Sequence, residues 1–154
     1  MNKKKRNFKL LPAQVKDMPA IEALVKKVDI NPYNLDWRHF ITAWSRDKQF
    51  IGCGQIKIHR DGTPELASIA VESAYRGQGV ARAIIERLLK DYSGRRLYVF
   101  CPQSLQEMYK KFGFALCPKK EVPAYLRTAG FSFRLLHLFF PKTDKMIVMV
   151  RRSD

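Results

Sequence analysis

Between residues 74 and 85 the chain reads AYRGQGVARAII. An arginine, two glycines one residue apart and an uninterrupted amphipathic run form a combination suited to holding an anion. The first amides of a helix have no intrahelical partner and carry the positive end of its dipole, so they attract negative groups. Gly77 and Gly79 leave those amides unshielded, and Arg76 and Arg82 add charge at either edge. Two familiar phosphate motifs are excluded. A P-loop needs Lys and Ser or Thr after its last glycine, where Val80 and Ala81 stand. A dinucleotide fold needs a third glycine and an acidic residue about twenty positions on, where Val99 and its apolar neighbours stand. A diphosphate cradle behind an apolar strand remains.

Other chemistry-bearing residues are sparse. His39, His59 and His137 are far apart and lack metal-ligand spacing, so no metal site is expected. Cys53, Cys101 and Cys117 are odd in number, widely spaced and set in apolar surroundings, the pattern of reduced, mostly buried thiols. Glu107 closes a capping-box sequence that begins at Ser104, and Glu72 occupies a solvated turn position.

The elements that must carry these groups follow from periodicity. Phe8 to Leu11 reads as a strand, and Asp17 as the N-cap of a helix with Ile21, Leu24, Val25 and Val28 on one face. NPYNLDW, residues 31–37, reads as a loop or short helical turn. Phe40 to Trp44, Phe50 to His59 and Glu65 to Val71 form an antiparallel meander, with Asp61-Gly62 as a hairpin turn. A helix follows the glycines, with Ala81, Ile84, Ile85, Leu88 and Leu89 as its apolar stripe. Leu97 to Cys101 reads as a strand covered on both faces. Leu105, Met108, Tyr109 and Phe112 predict another helix, Phe114 to Cys117 and Met146 to Val150 the final strands, and roughly 118–145 a basic, aromatic insertion. The predicted fold class is α/β: a mixed, mainly antiparallel sheet of about six to seven strands with helices on both faces. It forms one domain over residues 1–154, with 1–6 as a basic, flexible tail.

The segment ELASIAVESAYRGQGVA, residues 65–81, resembles the acetyl-CoA signature of the GNAT N-acetyltransferase superfamily, and Tyr109 in MYKKFGF resembles that family's Y-x-x-x-G-F segment. The resemblance covers roughly residues 8 to 116. Ala74 departs from the family's first Gln or Arg position, and Pro102 stands where an Asn is frequent. The resemblance implies acetyl-CoA as co-substrate and acetyl transfer to a primary amine by direct attack in a ternary complex, with no metal and no covalent enzyme intermediate. By the same resemblance, backbone from Ile69 through Ala70 to Val71 takes the pantetheine arm, and a backbone N–H near Ile69 or Val71 faces the oxyanion. Arg76, Gly77, Gln78, Gly79, Val80, Ala81 and Arg82 cradle the diphosphate. Tyr109 is the general acid, with a core tyrosine as its bland alternative. Glu65 is either the base that deprotonates the amine through water or a solvated carboxylate at a strand edge. Tyr33, Trp37, Tyr125 and Phe131 are the implied liners of the acceptor site.

Composition widens the list of partners. The chain carries 29 Lys and Arg against 14 Asp and Glu, a net charge of +15. That field suits cofactor phosphates, nucleic acid, an acidic protein or an anionic membrane, and solvating charge explains it equally well. A peptide or protein amine is the favoured acceptor. The alternatives are a basic nucleic-acid- or ribosome-binding module on the same fold, or a CoA-binding regulatory domain without turnover. No apolar run approaches the roughly 20 residues of a membrane span, and no signal peptide is evident, so a cytoplasmic monomer or homodimer is expected.

Overall fold

The computed structural model describes residues 6–129 and 144–153. Seven strands form one mixed sheet in the order β1-β2-β3-β4-β5-β7-β6, in line with the six to seven expected. They are β1 (Phe8–Pro12), β2 (Phe40–Ser45), β3 (Phe50–Ile58), β4 (Pro64–Val71), β5 (Arg96–Pro102), β6 (Ala115–Leu116) and β7 (Met146–Arg152). β1 and β2 pair antiparallel, Phe8 opposite Ser45, and β2 pairs antiparallel with β3 through a register shift at Ala43/Trp44. β4 runs parallel to β5, with Glu65 opposite Tyr98, while β7 is antiparallel to both β5 and β6. Contacts group the chain into two units, one of residues 1–56 with 68–92 and the other of 57–67 with 93–154. β3 and β4 each contribute to both.

In the first unit, helix α1 (Met18–Lys27) turns Ile21, Leu24 and Val25 into a core shared with Phe40, Cys53 and Ala70. Helix α2 (Val80–Asp91) meets the other side of β3. A Cβ added at Gly54 would lie 2.5 Å from Ile69 Cδ1 and 2.7 Å from Ile84 Cγ2, and one at Gly52 would lie 3.0 Å from the Ala70 carbonyl. Side chains alternate along a strand, so Cys53 faces α1 while positions 52 and 54 face α2. Helices therefore cover both faces, which explains why β3 is buried almost throughout. The predicted stripe of α2 is shifted slightly: Val80, Ala83, Ile84, Ile85 and Leu88 are buried, whereas Ala81 and Leu89 are only partly so.

Two predicted caps do not form. Asp17 sits in helical conformation with no capping bond of its own. A 3-10 turn over Val15–Asp17 precedes α1, and the Asp17 carboxylate instead accepts the Gln14 amide at 2.8 Å. The Ser104 to Glu107 box is likewise displaced by a 3-10 turn over Gln103–Leu105 ahead of helix α3 (Gln106–Lys110). The Ser104 amide donates to Asp144 at 3.1 Å, and Glu107 pairs with Lys110 at 2.6 Å. Pro19 stands in the first turn of α1, where its missing N–H costs nothing, and Pro102 leads into the second turn in extended conformation. Glu72, expected to be solvated, holds Lys27 at 2.7 Å.

The second unit packs Tyr98, Leu126 and Val150 together with Phe100, Val122, Tyr125 and Val148. Residues 124–129 are helical. Of the insertion from 118 to 145, the stretch 130–143, which includes Phe131, His137 and the RLLHLFF run, lies outside the described residues. The last predicted strand before it shortens to Ala115–Leu116.

Candidate functional site

The cradle residues lie in the first unit. Arg76, Gly77, Gln78 and Gly79 are exposed, and α2 begins directly behind them at Val80. Both glycines adopt left-handed φ, 75° at Gly77 and 81° at Gly79, and a Cβ added at either would meet nothing within 4 Å. A side chain would therefore project into open space in front of the turn, not into the protein. Gly79 is the N-cap, and its carbonyl accepts from the Ala83 amide at 3.0 Å, so the amides ahead of Ala83 have no helical acceptor. Arg76 Nε lies 3.4 Å from the Val71 carbonyl, and Gln78 Nε2 donates to the Ala74 carbonyl at 3.1 Å. Arg82 pairs with Glu86 at 3.1 Å; such an exposed ion pair is worth at most about 1 kcal/mol and does not pin the guanidinium. The residues fit an anionic group at this turn.

Upstream, β4 carries a non-glycine residue in left-handed conformation. Ser68 is buried yet holds φ 56°. It is held there by Gln55 Nε2, which donates to Ser68 Oγ at 2.9 Å, and by Cys53 Sγ, 3.8 Å from the Ser68 carbonyl. A left-handed residue inside a strand turns the flanking peptides out of the regular ladder. It does so immediately before Ile69, Ala70 and Val71, the segment expected to offer backbone to a ligand. Gln55 and Ser68 were not anticipated from sequence, because a buried Gln in a strand has no local signature.

The second unit gathers a different set. Glu65 is not a solvated edge carboxylate, since its side chain is 12% exposed and lies 2.6 Å from His59 Nε2. The His59 ring is 2% exposed and stacks on Tyr125, with centroids 3.8 Å apart and planes inclined by 18°. Lys57 is buried in the same hairpin, and burial lowers its pKa against the opposing pull of Glu65. Asp61 accepts the amides of Thr63 at 2.9 Å and Tyr125 at 3.1 Å. Tyr109 is buried and meets Phe114 edge-on at 5.8 Å. Burial, then the charges of Cys101 and Glu65, push its phenol well above the ordinary value. It therefore keeps its proton at neutral pH, as a donor must.

The structure thus brings Glu65, Tyr109 and Tyr125 into one unit and the cradle into the other, with β4 carrying Glu65 at one end and Ile69 to Val71 at the other. Among the remaining expected liners, Tyr33 and Trp37 are exposed on the 31–39 segment, and Phe131 is not described. His59 is the residue that sequence reading passed over. Its signal lay in the hairpin: the His59 amide donates to Thr63 across Asp61-Gly62, and continuing that pairing sets Lys57 opposite Glu65 with His59 one diagonal away on the same face. Burial lifts the Cys53 and Cys101 thiols to about 12, with Asp144 adding to the effect at Cys101, which leaves them protonated and poor nucleophiles. A cavity of about 590 Å³ lies beside β1, and no expected site residue lines it. Among the described residues no group of His, Cys, Asp and Glu could hold a metal, and no helix is long and apolar enough to cross a membrane.

Solved structures with this fold are numerous. Rv2747 from Mycobacterium tuberculosis, in complex with CoA, shares 24% identity with a TM-score of 0.71, covering 95% of this chain and 99% of that one. N-acetylglutamate synthase from Neisseria gonorrhoeae, complexed with coenzyme A and N-acetyl-glutamate, shares 18% identity with a TM-score of 0.70; 96% of this chain matches 35% of that protein, about a third of its length. Escherichia coli ElaA shares 19% identity with a TM-score of 0.65, covering 94% and 98% of the two chains. At these identities the likeness shows the fold. The family model of the Acetyltransferase (GNAT) family matches residues 11–114, two thirds of the chain, from within β1 to the end of the Tyr109 segment. With its mixed seven-stranded sheet and its glycine turn at the head of α2, the chain belongs to the GNAT acetyltransferase family.

Proposed function

We propose that this chain moves the acetyl group of acetyl-CoA to a primary amine by direct attack in a ternary complex, the acceptor being a peptide or protein amine. The observation that carries this reading is the pair of left-handed glycines whose absent side chains open the first amides of α2 to solvent. Those amides, with Arg76 and Arg82 beside them, would hold the diphosphate. The peptides of Ile69 to Val71, which follow the left-handed Ser68, would line the pantetheine arm and supply the N–H that stabilises the tetrahedral oxyanion. The Tyr109 phenol, held neutral by burial, would protonate the departing thiolate. Glu65 would take the proton from the acceptor's ammonium group through water and leave its nitrogen lone pair free to attack. Tyr33, Trp37, Tyr125 and Phe131 are the residues assigned to the acceptor. Three free thiols accord with a reducing, cytoplasmic setting.

A free amino acid is the second reading of the acceptor, favoured by the likeness to a synthase complexed with N-acetyl-glutamate. Thiol release from acetyl-CoA, followed with a panel of short peptides, glutamate, glutamine and diamines, separates the two. Release driven by peptides supports the first reading, and release driven only by amino acids supports the second. Acetyl-CoA binding without release by any amine points to a regulatory domain. Salt-sensitive nucleic-acid binding with no response to acetyl-CoA points to a phosphate-binding module.

A further inference from the structure

We infer that His59 is the positioning residue of the base: it fixes the Glu65 carboxylate so that one oxygen faces the acceptor's ammonium group. This rests on the reading of Glu65 as the acceptor's base. The pair is built, not incidental. His59 Nε2 lies 2.6 Å from Glu65 Oε2, and the two side chains are 2% and 12% exposed, so Glu65 is the member that keeps access to solvent. The ring cannot swing away, because Tyr125 covers its face at 3.8 Å. The histidine backbone is tied across the hairpin, its amide to the Thr63 carbonyl and its carbonyl to the Gly62 amide, each at 2.9 Å. Asp61 in that same turn accepts the Tyr125 amide at 3.1 Å, which ties the stacking ring to the hairpin.

The imidazole is not explained by packing. With its hydrogen placed on Nε2, toward the carboxylate, Nδ1 is a buried nitrogen without a partner among the described residues. A buried polar atom left unsatisfied costs about 1–3 kcal/mol, which a hydrocarbon side chain of similar size would avoid. What the imidazole supplies, and a hydrocarbon could not, is an N–H to Oε2, leaving Oε1 as the second acceptor. In the proton transfer the amine N–H bond breaks, an O–H bond forms at Glu65 Oε1, and the electron pair stays on the amine nitrogen. His59 keeps its Nε2 proton throughout. Among the described residues, the charged and titratable groups around the pair include Lys57 and Tyr109, which interact electrostatically with Glu65, Asp61, which interacts with His59, and Tyr125, stacked on the His59 ring.

The test compares His59→Leu with His59→Gln, whose amide nitrogen can replace Nε2 as donor. Turnover is measured with acetyl-CoA and two kinds of amine. One is an ammonium acceptor, whichever of glutamine or trialanine the unmodified protein acetylates faster. The other is hydroxylamine, which is already neutral at the assay pH and needs no base. The expected result is a fall of about 10²-fold in kcat for the ammonium acceptor in His59→Leu, the usual cost of a mispositioned catalytic group. Hydroxylamine turnover and acetyl-CoA affinity stay unchanged, and His59→Gln recovers most of the loss. Independently of turnover, 15N-histidine NMR should show one downfield, slowly exchanging Nε2 proton that disappears in Glu65→Gln. Equal losses with both amines, or no loss with either, overturn the role of His59 while leaving acetyl transfer standing. An unmodified protein that acetylates neither amine overturns the base assignment and this inference with it.

Discussion

Gly79 and Gly62 form a matched pair for testing the cradle. Their φ values are 81° and 82°, and a Cβ at either would meet nothing within 4 Å. Alanine at either position therefore carries the same cost, the left-handed penalty of about 1–2 kcal/mol, with no clash added. For a chain of this size that is roughly 2–8 °C in Tm for each variant. Ligand binding should separate them. At Gly79 the new methyl stands in the open space before the α2 amides and obstructs one hydrogen bond to a charged group, worth about 1.5–3 kcal/mol. That converts to about a 10- to 150-fold weaker Kd for acetyl-CoA. At Gly62, on the hairpin after β3, the methyl touches no proposed ligand contact, and the Kd should not move. Differential scanning fluorimetry gives the Tm values, and calorimetric titration gives affinity per folded molecule. If Gly79→Ala binds acetyl-CoA as tightly as Gly62→Ala does, the amides behind Gly79 do not hold the diphosphate.

Two further outcomes are expected. Tyr109→Phe removes only the hydroxyl and keeps the buried ring against Phe114, so acetyl-CoA affinity should hold while kcat falls about 10²- to 10⁴-fold, the usual worth of a general acid; parallel losses of Kd and kcat would make it a packing residue. Hydrogen bonding from Arg38 holds the Asp36 carboxyl at about 2, below its ordinary 3.8, in the turn that carries Trp37. A depressed carboxyl stabilises above its unfolded pKa, so the turn's contribution is whole above pH 3.8 and lost as the pH falls through 2. Trp37 emission, followed in Trp44→Phe, should change in that window, and a transition centred near pH 5 would contradict the pairing.

What was legible in the chain was what local periodicity and glycine spacing encode. The meander, the hairpin at Asp61-Gly62 and the run from β4 through Gly77 and Gly79 into α2 stand as expected, because each rests on patterns within a few residues. The errors fall where a distant partner or an intervening turn decides. Asp144 takes the Ser104 amide across 40 residues, and no reading of residues 104–107 alone could set that bond against a capping box. The Asp17 carboxylate turned back to Gln14 because a 3-10 turn intervenes. At the candidate site, Tyr109 and the cradle were carried by motif, whereas the His59–Glu65 pair needed the hairpin register to be followed past the turn. Gln55 and the left-handed Ser68 were opaque for a physical reason: a non-glycine left-handed residue is imposed by its neighbours.

Acetyl transfer by this chain requires that it bind acetyl-CoA. Calorimetric titration of the purified chain with acetyl-CoA, with NAD and ATP as controls at fixed salt, tests it most directly. The account predicts saturable one-to-one binding of acetyl-CoA alone, weakened in Gly79→Ala and unchanged in Gly62→Ala. Equal heats from all three nucleotides, or none from acetyl-CoA, would mean that the glycine turn attracts phosphate in general or not at all, and the proposed transfer would fall.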